Sequence, residues 1–266
     1  MFGGSFNPVH LGHLLVADEI AEILDLERVL FVPAASPPHK PATELAPARH
    51  RFEMTRLAVA EHPRFEVSDV ELRRSGPSYT VDTLEALAPR GDLHLIIGSE
   101  TFLDLLSWRE PRRVAALARL VVVPRTGGGF DPESALALKV LTEVGLGGFV
   151  SPSPSAGAQK WPPLSPSPRT PEGAPPLSPS PRTPDALSPS PRTPEGAPSL
   201  SPSPRTPEGA PPLSPSPRPV LAPAASLPIS GSDLRKRARE GRSLAFRMPA
   251  AVAAYIREHR LYQGGA

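Results

Sequence analysis

A three-layer α/β fold with a mostly parallel sheet is predicted by three features of the chain. Short apolar runs read as buried strands, amphipathic helical stretches lie between them, and a glycine-rich turn precedes the first helix. Strands joined by helical crossovers run parallel, because a crossover returns the chain to the same end of the sheet. The chain has 266 residues, but 26 of its 39 prolines fall between Ser151 and Pro228. Two kinds of polymer are therefore joined: a globular part, about residues 1–150 and 227–266, and a low-complexity part, 151–226.

The opening reads Gly3-Gly4-Ser5-Phe6-Asn7-Pro8-Val9-His10-Leu11-Gly12-His13. Leu14, Leu15, Ala17, Ile20, Ala21, Ile23 and Leu24 then recur at helical spacing, predicting a helix from about Gly12 to Leu24. Such a turn should follow a buried strand, yet only Met1 and Phe2 precede Gly3. The expectation is that the strand is missing because the start is several residues late. Arg28 to Val32 is a buried strand, and the five prolines of residues 33–47 make that stretch a loop containing Ser36-Pro37-Pro38-His39-Lys40. A second helix spans about Pro47 to Glu61, with Phe52, Met54, Leu57 and Ala58 on its apolar face.

Phe65 to Leu72 alternates apolar and polar residues, as in a strand with one wet face near a sheet edge. Ser78 or Thr80 is expected to cap a helix over Val81–Leu87. Leu93 to Ile97 is a strand ending at Gly98-Ser99-Glu100. Short helices are expected over Phe102–Leu106 and Arg112–Ala118, a buried strand at Leu120–Val123, and a helix over Asp131–Val144.

From Ser165 a unit Ser-Pro-Ser-Pro-Arg-Thr-Pro-Glu-Gly-Ala-Pro-Pro-Leu restarts at Ser178, Ser188, Ser201 and Ser214. One leucine per unit cannot offset the entropy of ordering a backbone so poor in donors, so a disordered proline-rich repeat insertion is expected. It reads as an insertion or linker in preference to a partner-binding segment, although proline-rich segments can dock on aromatic grooves. Beyond it, Ser230 or Ser232 should cap a helix starting near Ile229, and a last helix starts at Pro249. Both are short and one-sided and should pack back on the first part.

His10 and His13, three apart at a helix start, can share a face and point towards the anion site formed by the free amides of the first turn. Hydrogen bonds to a phosphorus centre suit them better than metal ligation, since no third ligand is evident nearby. Arg235 with the amides of Ser230 to Asp233 forms a second phosphate cradle, and Lys40 joins it if its loop folds over the same edge. Trp108 follows a short helix after Gly98-Ser99-Glu100, where an aromatic plane can serve the core or stack on a heterocycle.

In this order and spacing, Gly3 to His13, Ser36 to Lys40, Ser78 to Thr83, Gly98 to Trp108, Ile229 to Arg235 with Gly241, and Tyr255 to Tyr262 resemble the His-x-Gly-His nucleotidyltransferases. Among these the chain is most similar to the bacterial nicotinate-nucleotide adenylyltransferases. The resemblance implies a Rossmann-like domain that transfers AMP from ATP to nicotinate mononucleotide in NAD biosynthesis, with Mg²⁺ as cofactor. It assigns phosphate contacts to His10, His13, Lys40 and Arg235. ATP binding falls to Gly3, Gly4, Ser5, Phe6, Gly12, Gly98, Glu100, Ile229, Ser230 and Ser232, and the nicotinate ring to Thr80 and Trp108. Three positions depart from the family pattern: Glu100 replaces its usual Asp, Gly231 a Ser and Ser232 a Thr.

Several classes are disfavoured. A formal net charge of +2 gives little attraction to nucleic acid. No run of eighteen apolar residues suggests a membrane span, and the absence of cysteine fits a cytoplasmic protein. A homo-oligomer is compatible with the sequence. The alternatives are a related adenylyl- or cytidylyltransferase with another phosphorylated acceptor, and a catalytically impaired nucleotide-binding scaffold.

Overall fold

The computed structural model describes residues 1–39, 41, 43, 45–124, 129–152, 218–225 and 227–263. These residues fall in one compact unit, Met1–Ala156 with Leu213–Ala266. The expected disorder of the repeat tract, and the side chain of Lys40, lie outside the described residues.

The sheet has six strands: β1 (Phe2–Gly4), β2 (Val29–Pro33), β3 (Phe65–Val67), β4 (His94–Gly98), β5 (Arg119–Val123) and β6 (Val220–Leu221), in the order β3-β2-β1-β4-β5-β6. Every pairing is parallel. The helices α1 (Leu11–Ile23), α2 (Ala48–Val59), α3 (Thr80–Leu87), α4 (Ser99–Leu103), α5 (Pro111–Leu117), α6 (Ala135–Val144), α7 (Gly231–Arg239) and α8 (Ala250–Glu258) complete the three layers.

Period-two alternation along the strands builds the two cores. Val29, Phe31, Ile96, Val121 and Val123 face a cluster shared with Ile20 of α1, Met54 of α2, Leu234 of α7 and Val252 of α8. Val32, Leu95, Ile97, Leu120 and Val122 face the other way, towards Leu84 of α3, Val114 of α5 and Val140 of α6. The helices after the tract therefore pack on the first part of the chain, as their one-sided apolar patterns predict. Among the described residues, no helix is long and apolar enough to cross a membrane.

The strand expected to be missing is formed by Phe2–Gly4 itself, at the centre of the sheet. Phe2, Gly3 and Gly4 pair with Phe31, Val32 and Pro33, and Phe2 also pairs with Ile96. A strand needs backbone donors and acceptors, which glycine supplies, but glycine adds no side chain to an alternating pattern and so hides the strand from a periodicity search.

Other boundaries move for similar reasons. The wet-faced strand stops at Val67, because Val70–Arg73 turn to carry Glu71 inward, where it is 6% exposed and its carboxylate accepts from Thr83 Oγ1 at 2.7 Å. Neither Ser78 nor Thr80 caps α3; Tyr79 holds that position without a side-chain bond. Ser78 Oγ accepts instead from Ser36 N–H at 3.0 Å, tying two loops together. The helix expected from Asp131 begins at Ala135, capped by Ser134, whose hydroxyl accepts from Ala137 N–H. Ser230, not Ser232, caps α7 by accepting from Asp233 N–H at 3.1 Å. Val220–Leu221, placed in the insertion by composition, is strand β6, and Pro219 O accepts from Val150 N–H at 2.9 Å.

Candidate active site

The strand order reverses at β1, whose neighbours β2 and β4 lie on opposite sides. In open parallel sheets, ligands bind at the carboxyl ends of the strands next to such a switch. A cleft of about 840 Å³ opens there. Gly3, Gly4, Ser5 and Phe6 contribute from β1 and its exit, His10, Gly12 and His13 from the start of α1, Gly98 from the end of β4, and Ile229, Ser230, Ser232 and Arg235 from α7 and its approach. Thus residues more than two hundred positions apart line one cavity.

His10 is the N-cap of α1 and its main-chain N–H donates to His13 Nδ1 at 3.2 Å. That bond requires Nδ1 of His13 to be unprotonated, so a neutral His13 carries its proton on Nε2, where it is a donor. The two rings stack with centroids 3.7 Å apart, and the His13 ring meets Phe6 edge-on at 5.2 Å. Phe6 is buried at a left-handed φ of 42°, a conformation uncommon for a residue with a bulky side chain. Gly12 answers a steric demand: a Cβ there would lie 3.1 Å from His10 Nδ1 and 3.2 Å from its Cε1.

His10 is 8% exposed, and burial pushes its pKa down to about 4. It is therefore neutral at pH 7. Its Nδ1 is buried without a hydrogen-bond partner among the described residues.

The depressed pKa has a consequence for stability. Between pH 6.5 and about 4 the unfolded chain binds a proton on this residue that the folded chain excludes, so this contribution is full above pH 6.5 and is lost as pH falls. The limiting slope for one proton is about 1.4 kcal/mol per pH unit. Urea unfolding from pH 4.5 to 7.5 should give a shallower pH dependence for His10→Gln than for the parent; coincident slopes would contradict burial of the neutral ring.

On the facing side, α7 leaves the N–H groups of its first turn without intrahelical partners, and Ser230 Oγ takes that of Asp233. Arg235 Nη1 donates to Asn7 O at 2.8 Å, and Nη2 to Ser232 Oγ at 3.3 Å. Gly231 permits this approach, since a Cβ there would stand 3.0 Å from Asn7 O and 3.4 Å from Arg235 Nη1. A glycine at position 231 thus fits the local packing.

Three predicted site residues do not line this cleft among the described residues. Glu100 is exposed in the first turn of α4. Thr80 starts α3 and is half-buried. Trp108 is half-buried against the core shared by α3, α5 and α6. Near it, the Arg109 guanidinium lies 4.8 Å from the Tyr79 ring centroid, within cation–π range.

Three residues that support the site lie outside the set of site residues the sequence points to. Asn7, 6% exposed, accepts at Oδ1 from Ala46 N–H at 3.1 Å and from Tyr262 O–H at 2.8 Å. Burial raises the pKa of Tyr262 despite the nearby Arg235 and Arg51, keeping the phenol protonated as the donor. Arg51, 1% exposed, lies where an apolar helix face was expected, whereas Phe52 and Leu57 are only half-buried. A sequence signal existed: Arg51 is three and seven residues ahead of Met54 and Ala58, on the same stripe.

The family description "Cytidylyltransferase-like" matches residues 1–237. A "Probable nicotinate-nucleotide adenylyltransferase" from Thermus thermophilus is 55% identical over 130 residues, covering 48% of this chain and 69% of that protein. One of the same description from Roseiflexus sp. is 34% identical over 265 residues, 99% of this chain and 96% of that protein. The solved structure of Plasmodium falciparum nicotinic acid mononucleotide adenylyltransferase complexed with NaAD superposes with a TM-score of 0.57 at 16% identity. It covers 98% of this chain and 95% of that one, a likeness of fold.

Proposed function

Because the chain belongs to the cytidylyltransferase-like family, and within it to the nicotinate-nucleotide adenylyltransferases, we propose that it transfers the adenylyl group of ATP to nicotinate mononucleotide. The products are deamido-NAD and pyrophosphate. The observation that carries this reading is the convergence of the His10–His13 pair, the end of β4 and the first turn of α7 with Arg235 on one cleft.

A 5′-phosphate oxygen of nicotinate mononucleotide attacks the α-phosphorus of ATP. The bond from that phosphorus to the bridging oxygen of the β-phosphate breaks, and pyrophosphate leaves. Such a transfer is served mainly by positioning and by donors aimed at oxygens that gain charge in the transition state. His13, with its proton on Nε2, is one such donor. His10, neutral and desolvated, supplies a second imidazole without the cost of a buried charge. The first-turn amides of α7 and the Arg235 guanidinium hold the polyphosphate. Lys40 is proposed to join them, and Glu100 to act on the ribose. Thr80 and Trp108, outside the cleft of the phosphates, are proposed to receive the nicotinate ring.

The described residues lining the cleft include no carboxylate, and no group of three His, Asp or Glu side chains among the described residues could hold a metal. The side chains there do not themselves fit Mg²⁺, which favours carboxylate or phosphate oxygens together with water. We place Mg²⁺ on the ATP phosphates as they enter. The nucleotidyltransferase domain is proposed to comprise residues 1–150 and about 219–266, with the repeat tract as an insertion that takes no part in catalysis.

The test is pyrophosphate release with Mg²⁺, ATP or CTP as donor, and nicotinate or nicotinamide mononucleotide as acceptor. Release is expected chiefly with ATP and nicotinate mononucleotide. ATP binding without release from either acceptor would sink the reading.

A further inference from the structure

The exit of β1, the exit of β2 and the segment entering α2 converge on one side chain. Arg51 Nε donates to Ala46 O at 2.8 Å. Its Nη1 donates to Ser5 O at 2.9 Å and to Ala34 O at 2.6 Å, and Nη2 to Ala35 O at 3.1 Å. Four of the five N–H groups of a guanidinium are thereby spent on main-chain carbonyls from three separate stretches.

No carboxylate hydrogen-bonds to this guanidinium among the described residues. Burial lowers the basicity of Arg51, and Glu71, which favours the charged form, is engaged elsewhere: it accepts from Thr83 Oγ1 and, at 3.4 Å, from Ala35 N–H. A buried cation without an acid hydrogen-bonded to it is an expensive way to satisfy carbonyls. What it provides is geometry. A planar fork fixes several acceptors in one frame, whereas an ammonium presents its donors from a single atom.

The stretches so joined border the cleft. Ser5 lies between β1 and the turn that delivers His10 and His13. Ala34 and Ala35 lead into the Ser36–Lys40 segment, and Ala34 N–H donates to Gly4 O at 2.9 Å. Ala46 N–H donates to Asn7 Oδ1, whose residue also receives Arg235.

We infer that Arg51 is a positioning residue of the transfer reaction, locking the histidine-bearing turn and the β2–α2 loop into one frame without touching substrate. This rests on the adenylyl-transfer reading above. A displacement of about 1 Å at a reacting centre can cost about 10²-fold in rate.

The test compares the parent with Arg51→Lys and Arg51→Met in the full chain. Pyrophosphate release by the parent, with ATP and nicotinate mononucleotide, reports on the activity itself. For the variants, ATP sites are counted by equilibrium binding, and the single-turnover rate is expressed per site. We expect a fall of about 10-fold for Arg51→Lys and about 10²-fold for Arg51→Met, with the ATP dissociation constant within about threefold of the parent. Amide hydrogen exchange, independent of turnover, should quicken together over residues 3–10 and 34–39 while β4 and β5 keep their protection. Parent rates per site in either variant would overturn the inference. So would a loss of rate that only tracks the loss of ATP sites, failure of both variants to bind ATP, or exchange that quickens in one segment alone.

Discussion

Replacing His13 by alanine should slow adenylyl transfer by about 10²-fold or more, the usual scale for loss of one preorganised transition-state donor. The ring is held on three sides: its Nδ1 accepts from His10 N–H, its face stacks on His10, and its edge meets Phe6. Such restraint removes the reorganisation a mobile donor would need as charge moves onto the phosphate oxygens. The loss should therefore appear in the chemical step, with ATP affinity little changed. A modest stability cost is also expected, about 1 kcal/mol, because the helix-start N–H of His10 loses its acceptor. Rapid-quench measurement of a single turnover separates the two effects, and equal rates in variant and parent would remove His13 from the mechanism.

The second large effect is expected at Arg235. Arg235→Met keeps much of the side-chain volume but deletes the charge that the Asn7 carbonyl and Ser232 hydroxyl hold at the mouth of α7. A hydrogen bond to a charged group contributes about 1.5–3 kcal/mol, so ATP should bind roughly 10- to 10²-fold more weakly. Adenosine, which lacks phosphates, should bind as before. Calorimetric titration with both ligands decides the matter, since an equal loss for adenosine and ATP would mean that α7 had shifted and that Arg235 does not read the phosphates. Arg235→Lys should recover part of the ATP affinity, because charge survives while the fork does not.

Much of the architecture was legible because its signals are local. Helical spacing located α1 and α2, apolar runs located β2, β4 and β5, and Ser230 was one of the two serines recognisable as candidate caps. The histidine pair was equally plain, because its spacing and its place at a helix start are sequence properties. Less legible was anything defined by backbone pairing alone. Strand β1 is two-thirds glycine, and β6 is a two-residue strand at the end of a proline-rich stretch. Neither carries the alternation of side chains by which a strand is recognised.

The fold class, the histidine-bearing opening and the family can be read from the chain alone, since these depend on periodicity and on motifs a few residues long. That Gly3 and Gly4 belong to the central strand becomes visible only in the folded chain. The same holds for the meeting of Asn7, Tyr262 and Arg235, and for an arginine on the apolar stripe of α2 binding loop carbonyls in place of water. All of these share one origin. A hydrogen bond between groups up to 255 residues apart leaves no mark on the spacing of neighbours, and a buried charge is distinguished from a solvated one only by what surrounds it.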